Sequence, residues 1–328
     1  MIDPVLVEVS RNPLIESVHR GAACVVASDG RVIGAWGDID RPIFPRSAIK
    51  FIQALPLIES GAADAFNVTD EELALACASH SGEDRHVGIV RNWLTRLDLS
   101  EDDLVCGPHP PLQPGTAETL FRSGVALTRA HNNCSGKHTG FLNMALHLRV
   151  PTQGYARPEH PVQAQIRSIL GELTEIESER ISIGNDGCGA ANFGLPLQAL
   201  ARAFAKLSDA RALPPARQAA VERLAAAIRH DPFLIAGTDR HCMRLIEALK
   251  GGALAKIGAE GVYVAMLPTQ RVGIAVKITD GAQRAAEIAI SVLLHRFGVL
   301  NDRSFLVRPI TNTRDEIVGH IRPASGWP

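Results

Sequence analysis

The chain has 328 residues, a formal net charge of −1 and 46% hydrophobic residues, which is ordinary for a soluble globular protein. The balanced charge provides no basic surface for nucleic acid or an anionic membrane, so the sequence favours a small-molecule substrate. No apolar run approaches the roughly 18 residues of a membrane span, and the N-terminus lacks the basic and apolar regions of a secretory signal.

The first 40 residues predict strands. Residues 5–9 alternate apolar and polar side chains, which is the period of a half-buried strand. Residues 21–28 and 32–36 flank Asp29-Gly30, the strongest short indicator of a β-hairpin. We therefore expect an N-terminal antiparallel hairpin.

The middle of the chain predicts helices. The first runs from Ser47 to Ser60, and Pro56 is expected to kink or interrupt it. The next begins at Thr69, which acidic residues follow in the first turn. Apolar residues at helical spacing predict further helices at residues 83–97, 140–148, 160–173, 195–207 and 216–230. The proline-rich residues 106–116 are expected to form an irregular loop.

Strands return near the C-terminus, at residues 253–257, 262–267 and 272–278, before an apolar helix at 282–297. Because strands cluster at both ends, we expect an α+β fold. One antiparallel sheet would be built from the N- and C-terminal strands, with flanking helices and a helical middle region. We expect a single catalytic domain over residues 1–300 and a C-terminal tail over residues 301–328.

Ser47-Ala48-Ile49-Lys50 is an S-x-x-K pattern at a predicted helix start. A spacing of three places the hydroxyl and the amine on one helix face, and a helix N-terminus offers N–H groups to a developing oxyanion. A partly buried lysine can act as base toward the serine. The alternative is an N-cap serine followed by an exposed lysine.

The stretch from Asn132 to His138 places a thiol, an amine, an imidazole and a hydroxyl together, and Cys188 lies in a similar polar, glycine-flanked segment. Cys134 and Cys188 with Lys137 or His138 would supply three ligands to zinc. Histidine is the default third ligand because lysine is charged at neutral pH. The alternative is two buried thiols beside a glycine-rich turn. Six widely spaced cysteines do not form a disulfide framework, so we expect reduced thiols and a cytoplasmic location.

Two other stretches are less specific. Taken alone, the polar residues from Ser79 to His86 are better explained as a helix cap and a solvated turn than as a catalytic motif. Lys256-Ile257-Gly258 lies on a predicted strand and is similar to the K-T-G motif of β-lactamase-like enzymes. No clear S-D-N motif accompanies it, so a close β-lactamase relationship is unsupported.

Taken together, the motifs resemble the L-asparaginase II family, also known as class 3 or Rhizobium etli-type asparaginases. The resemblance extends from about Gly21 to about Phe297, with the order and spacing of the motifs maintained. The stretches that carry it are Arg46-Ser47-x-x-Lys50, Cys77 to His86, Asn133 to His138, and Asp186-Gly187-Cys188.

The resemblance implies a fold like that of serine β-lactamases and glutaminases, a homodimer, and hydrolysis of L-asparagine to L-aspartate and ammonia. It maps two Ser-Lys pairs onto Ser47 with Lys50 and Ser79 with Lys256. It also implies zinc, and no organic cofactor, bound through Cys134, Lys137 and Cys188, which replaces His138 as the expected third ligand.

From these residues we expect a serine acyl-enzyme mechanism, with Ser47 as nucleophile and Lys50 as its base. Ser79 and Lys256 would relay protons or orient the first pair, although the opposite assignment is also open. Arg46, His80 and Asp186 are the candidates for holding the carboxylate and ammonium groups of the substrate. Zinc would orient the substrate rather than generate hydroxide.

Two alternatives are weighed against this function. The nearer is a glutaminase, another serine amidase or a β-lactamase-like peptidase that uses the same serines. The other is a non-catalytic zinc-binding interaction protein, in which the polar clusters serve only to fold around the metal. The second predicts that no amide is hydrolysed.

Overall fold

A computed structural model describes residues 2–112 and 114–327. Its strands are β1 (Val5–Arg11), β2 (Leu14–Ala27), β3 (Val32–Trp36), β4 (Pro42–Ile43), β5 (Ser182–Asn185), β6 (Ala191–Pro196), β7 (Leu254–Ile257), β8 (Val262–Leu267), β9 (Val272–Ile278), β10 (Arg308–Thr311) and β11 (Ile317–Pro323). Its helices are α1 (Lys50–Glu59), α2 (Ala62–Ala65), α3 (Asp70–Ala76), α4 (Asp84–Arg96), α5 (Pro114–Ser123), α6 (Ser135–His147), α7 (Pro161–Thr174), α8 (Leu197–Ser208), α9 (Pro215–His230), α10 (Phe233–Ala236), α11 (His241–Ala248) and α12 (Gln283–Arg296).

The main sheet is antiparallel and is built from both ends of the chain, so the predicted α+β class is confirmed. Its strand order is β10-β11-β1-β2-β9-β8-β7, and β3 pairs with β2 beside that path. The first half of β2 pairs with β1 and its second half with β9, so one long strand joins the two parts of the sheet. A separate three-stranded sheet has the order β4-β6-β5.

Two helices pack on the central strands of the main sheet. Helix α8 contacts β2, β8 and β9, and α12 contacts β1, β8, β9 and β11. Gly273 permits the closest approach, since a Cβ atom there would lie 2.1 Å from the Ala201 carbonyl oxygen of α8. Every residue of β8 is buried as a result, which explains its continuous apolar sequence.

Helix α1 is the centre of the helical region and contacts α3, α6, α7 and α9. Its residues from Lys50 to Leu57 are all buried, and the helix continues past Pro56 to Glu59 without interruption. We attribute this to tertiary packing, because its stabilisation outweighs the cost of the backbone hydrogen bond that proline cannot donate. Within the described ranges, no helix combines the length and the apolar character needed to cross a membrane.

The segment after Asn301 differs from the expected tail, because it completes the sheet. Strand β11 pairs with β1 in the register Val7 to Pro323, and β10 lies outside it. Gly319 makes the pairing possible, since a Cβ atom there would lie 2.0 Å from the Ser10 carbonyl oxygen. The short alternating pattern around Ile321 was too weak to predict this strand from sequence.

Candidate active site

Ser79 lies between two buried lysines at the centre of the molecule. Lys256 on β7 places Nζ 2.9 Å from Ser79 Oγ, and Lys50 at the start of α1 places Nζ 3.2 Å from the same oxygen. Ser79 follows α3 and is 6% exposed. The structure therefore brings three of the four predicted catalytic side chains into hydrogen-bonding distance.

The amine of Lys50 has three acceptors. Besides Ser79 Oγ they are the carbonyl oxygen of Ala78, at a short distance, and Cys134 Sγ at 3.1 Å. An ammonium group has three N–H donors, so this arrangement suits a charged Lys50. The lysine ties the Ser79 segment to the segment that carries Cys134.

Lys256 has a different environment from Lys50. Burial lowers the pKa of Lys256 to about 7, and the nearby Lys50 charge acts in the same direction. Its Nζ also donates to the carbonyl oxygen of Ile257 at 2.9 Å. In the neutral form the amine has a lone pair that can accept the Ser79 proton, as a general base must.

Ser47 lies in a 3-10 turn, Arg46–Ile49, that precedes α1, so the α-helix begins later than predicted. Its hydroxyl makes no side-chain hydrogen bond within the described part of the chain, and it lines an open pocket of about 640 Å³. Gly258 lets this turn pack against the end of β7, since a Cβ atom there would lie 2.3 Å from the Pro45 carbonyl oxygen. Ser47 thus has access to a ligand but no contact with a base.

Arg46 and Asp186 form an ion pair on the wall of the same pocket. Arg46 Nη2 lies 2.7 Å and Nε 2.8 Å from Asp186 Oδ1. Burial raises the pKa of Asp186, but the charges of Lys137 and Arg46 outweigh it, so the net shift is downward. Arg46 has a φ of 53°, a left-handed conformation that is strained for a non-glycine residue and frequent at functional sites.

His80 does not join this ion pair. Its ring is fully buried, with Nε2 2.9 Å from Ser135 Oγ and Nδ1 accepting the N–H of Gly82 at 3.1 Å. Burial lowers the pKa of His80 well below its usual range, so the ring is neutral. Of the three residues expected to hold the substrate, Arg46 and Asp186 line the pocket and His80 is enclosed behind it.

Two of the expected zinc ligands, Cys134 and Cys188, line the same pocket. The third, Lys137, places Nζ 3.1 Å from Cys188 Sγ. The neighbouring Cys134 thiol lowers the pKa of Cys188 to about 5, and Cys188 raises the pKa of Cys134 to about 12, which favours the thiolate at Cys188. Burial acts to lower the pKa of Lys137, but Cys188 and Cys134 raise it further, and the net shift is upward.

Helix α6 starts five residues earlier than the predicted helix at 140–148, with Cys134 at its N-cap. Gly136 suggests a loop from sequence, but it serves packing, since a Cβ atom there would lie 2.6 Å from Leu75 of α3. The helix places Lys137 toward Cys188 and turns His138 away, where its Nδ1 lies 2.8 Å from the hydroxyl of Tyr155.

Sequence reasoning missed a further segment that lines the pocket, residues 109–112. His109 accepts the Asn133 N–H through Nε2 at 2.9 Å, and Asn132 donates from Nδ2 to the Gly107 carbonyl at 2.6 Å. Asn132 Oδ1 also accepts the N–H of Cys134 at 2.9 Å. The paired asparagines before Cys134 were the only indication in the sequence of this link.

Comparisons with known proteins identify the family of the chain. The family model described as L-asparaginase II matches residues 7–323. The chain belongs to the L-asparaginase II family. The family suggested by the motifs is therefore confirmed, and it indicates an amidohydrolase that acts on a small molecule. The L-asparaginase II match includes β10 and β11 at the end of the chain.

Solved structures with similar folds are distant in sequence. A β-lactamase from Mycobacterium bovis is 13% identical with a TM-score of 0.43, over 85% of this chain and 95% of that one. A Bacillus glutaminase is 12% identical with a TM-score of 0.40, over 86% and 92%. The protein Mglu, in its tris and glutamate form, is 15% identical with a TM-score of 0.48, over 91% and 64%. No curated protein matches the sequence.

Proposed function

We propose that this member of the L-asparaginase II family hydrolyses L-asparagine to L-aspartate and ammonia through a serine acyl-enzyme. The observation that carries the proposal is the contact of Ser79 Oγ with Lys256 at 2.9 Å and Lys50 at 3.2 Å, beside the pocket that Ser47 lines. The Ser79 hydroxyl therefore contacts one neutral and one charged amine, and it can pass its proton to the neutral one.

The Arg46–Asp186 ion pair supports an amino acid as substrate. The guanidinium of Arg46 suits an α-carboxylate, and the carboxylate of Asp186 suits an α-ammonium group. A bound zwitterion would exchange partners with the pair, so that no charge is left unpaired in a half-buried site. This fixes the backbone end of asparagine and leaves its side-chain amide near Ser47.

In the proposed mechanism Ser47 attacks the amide carbon, because its hydroxyl is the accessible one. Substrate binding is proposed to bring Ser47 Oγ to Ser79 Oγ, so that the Ser47 proton passes to Ser79 as the Ser79 proton moves to Lys256 and the tetrahedral intermediate forms. Lys256 returns the proton to the departing ammonia, leaving a β-aspartyl ester on Ser47. Water then attacks the ester with the same relay as base. The three acceptors around Lys50 favour an ammonium there, so Lys256 takes the role of base that was expected of Lys50.

The opposite assignment has Ser79 as nucleophile, supported by its direct contact with Lys256. Mass spectrometry of protein quenched with asparagine or a slow analogue separates the two. An adduct on the Ser47 peptide is expected, and it should disappear in Ser47→Ala while Ser79→Ala only slows its formation. An adduct on Ser79 reverses the assignment of the serines.

Ammonia release measured with asparagine and with glutamine tests the reaction itself. Asparagine is expected to be the better substrate. If only glutamine is hydrolysed, the activity is that of a glutaminase, whose substrate is longer than asparagine by one methylene. If the folded protein releases ammonia from neither amide, the non-catalytic alternative is favoured.

We also propose that Cys134, Lys137 and Cys188 hold zinc. Among the described residues no group of three or more His, Cys, Asp or Glu side chains is arranged to hold a metal. The candidate set has two thiols, which zinc binds as thiolates, and an amine, which can coordinate only in its neutral form. The lowered pKa of Cys188 favours the thiolate that zinc binds, whereas Lys137 must lose its proton to bind. When bound, zinc supplies a positive charge that orients the substrate.

Metal analysis checks the zinc site. Protein purified with zinc should contain about one zinc per chain, and Cys188→Ser should lower the affinity about 10- to 100-fold or more. The matched control is Cys24→Ala, a buried thiol on β2. If the unaltered protein and both variants contain equal amounts of zinc, then Cys134, Lys137 and Cys188 are not its ligands. The homodimer and the cytoplasmic location remain part of the proposal.

A further inference from the structure

Met266 on β8 lies between two cavities. One is a small internal cavity of about 20 Å³ behind Lys256, lined by buried side chains that include Phe51, Cys77 and Ile228. The other is a surface pocket of about 410 Å³ that is open to solvent. Met266 lines both, so a single side chain contributes to the wall between them.

The internal cavity is apolar. Its volume would admit one water molecule, but a buried water needs about two to four polar partners. The lining side chains other than Lys256 are hydrocarbon, thioether or thiol groups. The amine of Lys256 is already hydrogen-bonded to Ser79 Oγ and the Ile257 carbonyl. The cavity is therefore expected to stay dry.

The surface pocket has the opposite character. Charged side chains of Asp209, Glu222, Arg229 and Arg271 line it, which requires that it contain water. Helix α9 separates the two spaces as well, with Ile228 facing the cavity and its neighbour Arg229 the pocket. Met266 completes this wall from the sheet side.

We propose that Met266 is a positioning residue for the amide hydrolysis, because its side chain closes the surface pocket off from the cavity behind Lys256 and keeps water from that amine. The inference rests on the proposed function, in which Lys256 is the base. Burial is the largest cause of the lowered pKa of Lys256, which is consistent with this role. The other groups that act on Lys256 are Lys50 and Arg240, which lower its pKa, and Cys242 and Cys134, which raise it.

Met266→Ala should join the two spaces and admit water to Lys256. The pKa of Lys256 would then rise from about 7, and the acid limb of the pH profile of kcat/KM should move upward by about one unit or more. Turnover at pH 7 should fall about fivefold because the neutral fraction of the amine falls. Activity should recover above pH 9.

The matched control is Met243→Ala, a half-buried methionine on α11 that lines neither space. Its pH profile should match that of the unaltered protein. If Met266→Ala does not fold, Met266→Gln keeps the side-chain length and provides polar partners for water. An unchanged acid limb in a folded Met266 variant overturns the proposal.

A second readout does not depend on catalysis. Competitive acetylation with acetic anhydride over a pH series, read by mass spectrometry of the Lys256 peptide, follows the titration of the amine. The reactivity midpoint should rise in Met266→Ala and not in Met243→Ala. If no amide is hydrolysed but this midpoint moves, the proposed function fails while the role of Met266 in excluding water stands. A fixed midpoint overturns the role of Met266.

Discussion

Lys256→Met is expected to lower kcat for asparagine by about a thousandfold, within the range for loss of a general base. Methionine fills nearly the same volume, so the fold and the apolar cavity should be retained. Without the amine, Ser79 has no neutral partner, because Lys50 is occupied by three acceptors. Steady-state kinetics over pH 6 to 9, together with thermal unfolding, measures the effect.

The control for this substitution is Lys206→Met, on α8, where the amine binds Glu175 at 2.9 Å far from the pocket. It should leave kcat unchanged. A Lys256→Met enzyme that keeps a large fraction of kcat would remove Lys256 as base. In the unaltered enzyme kcat/KM should rise with pH through about 7, since the amine accepts a proton only above its pKa.

Asp186→Asn should raise KM for asparagine about a hundredfold with a smaller change in kcat, because a buried charge that loses its partner costs several kcal/mol. The substituted amide leaves Arg46 without its partner and cannot balance the substrate ammonium. Initial rates over a wide range of asparagine concentration give the split between KM and kcat.

Succinamic acid, which is asparagine without its amino group, makes the test specific. If Asp186 holds the ammonium, the substitution should raise KM for asparagine far more than KM for succinamic acid. Asp64→Asn is the control, since it removes an exposed ion pair with Arg223 on the surface. An equal loss with both substrates would assign Asp186 a structural role.

Local patterns in the sequence predicted many of the strands and helices. The Asp29-Gly30 hairpin and the strands β7, β8 and β9 lie where the sequence predicted them, because neighbouring residues determine turn signals and short apolar runs. Thr69 caps α3 with a capping box, as the acidic residues after it indicated. These interactions span few residues, so the chain reveals them directly.

The direction of a long side chain was not predictable in the same way. The S-x-x-K spacing brings Lys50 within reach of Ser47, but the amine extends to Ser79 on another segment. Nothing in the spacing specifies that Lys256, 177 residues further along, contacts the same oxygen. Only the resemblance of the motifs to a known family suggested that pairing.

The position of β11 beside β1 has a consequence for how the protein is made. Strand β1 is translated long before its partner from Ile317 to Pro323, since the paired residues Ser10 and His320 are 310 positions apart. One edge of β1 therefore stays unpaired until that partner has been made, at roughly 5–20 residues per second. A nascent chain that stalls before Ile317 exposes that edge to other strands, and premature termination there should lead to aggregation.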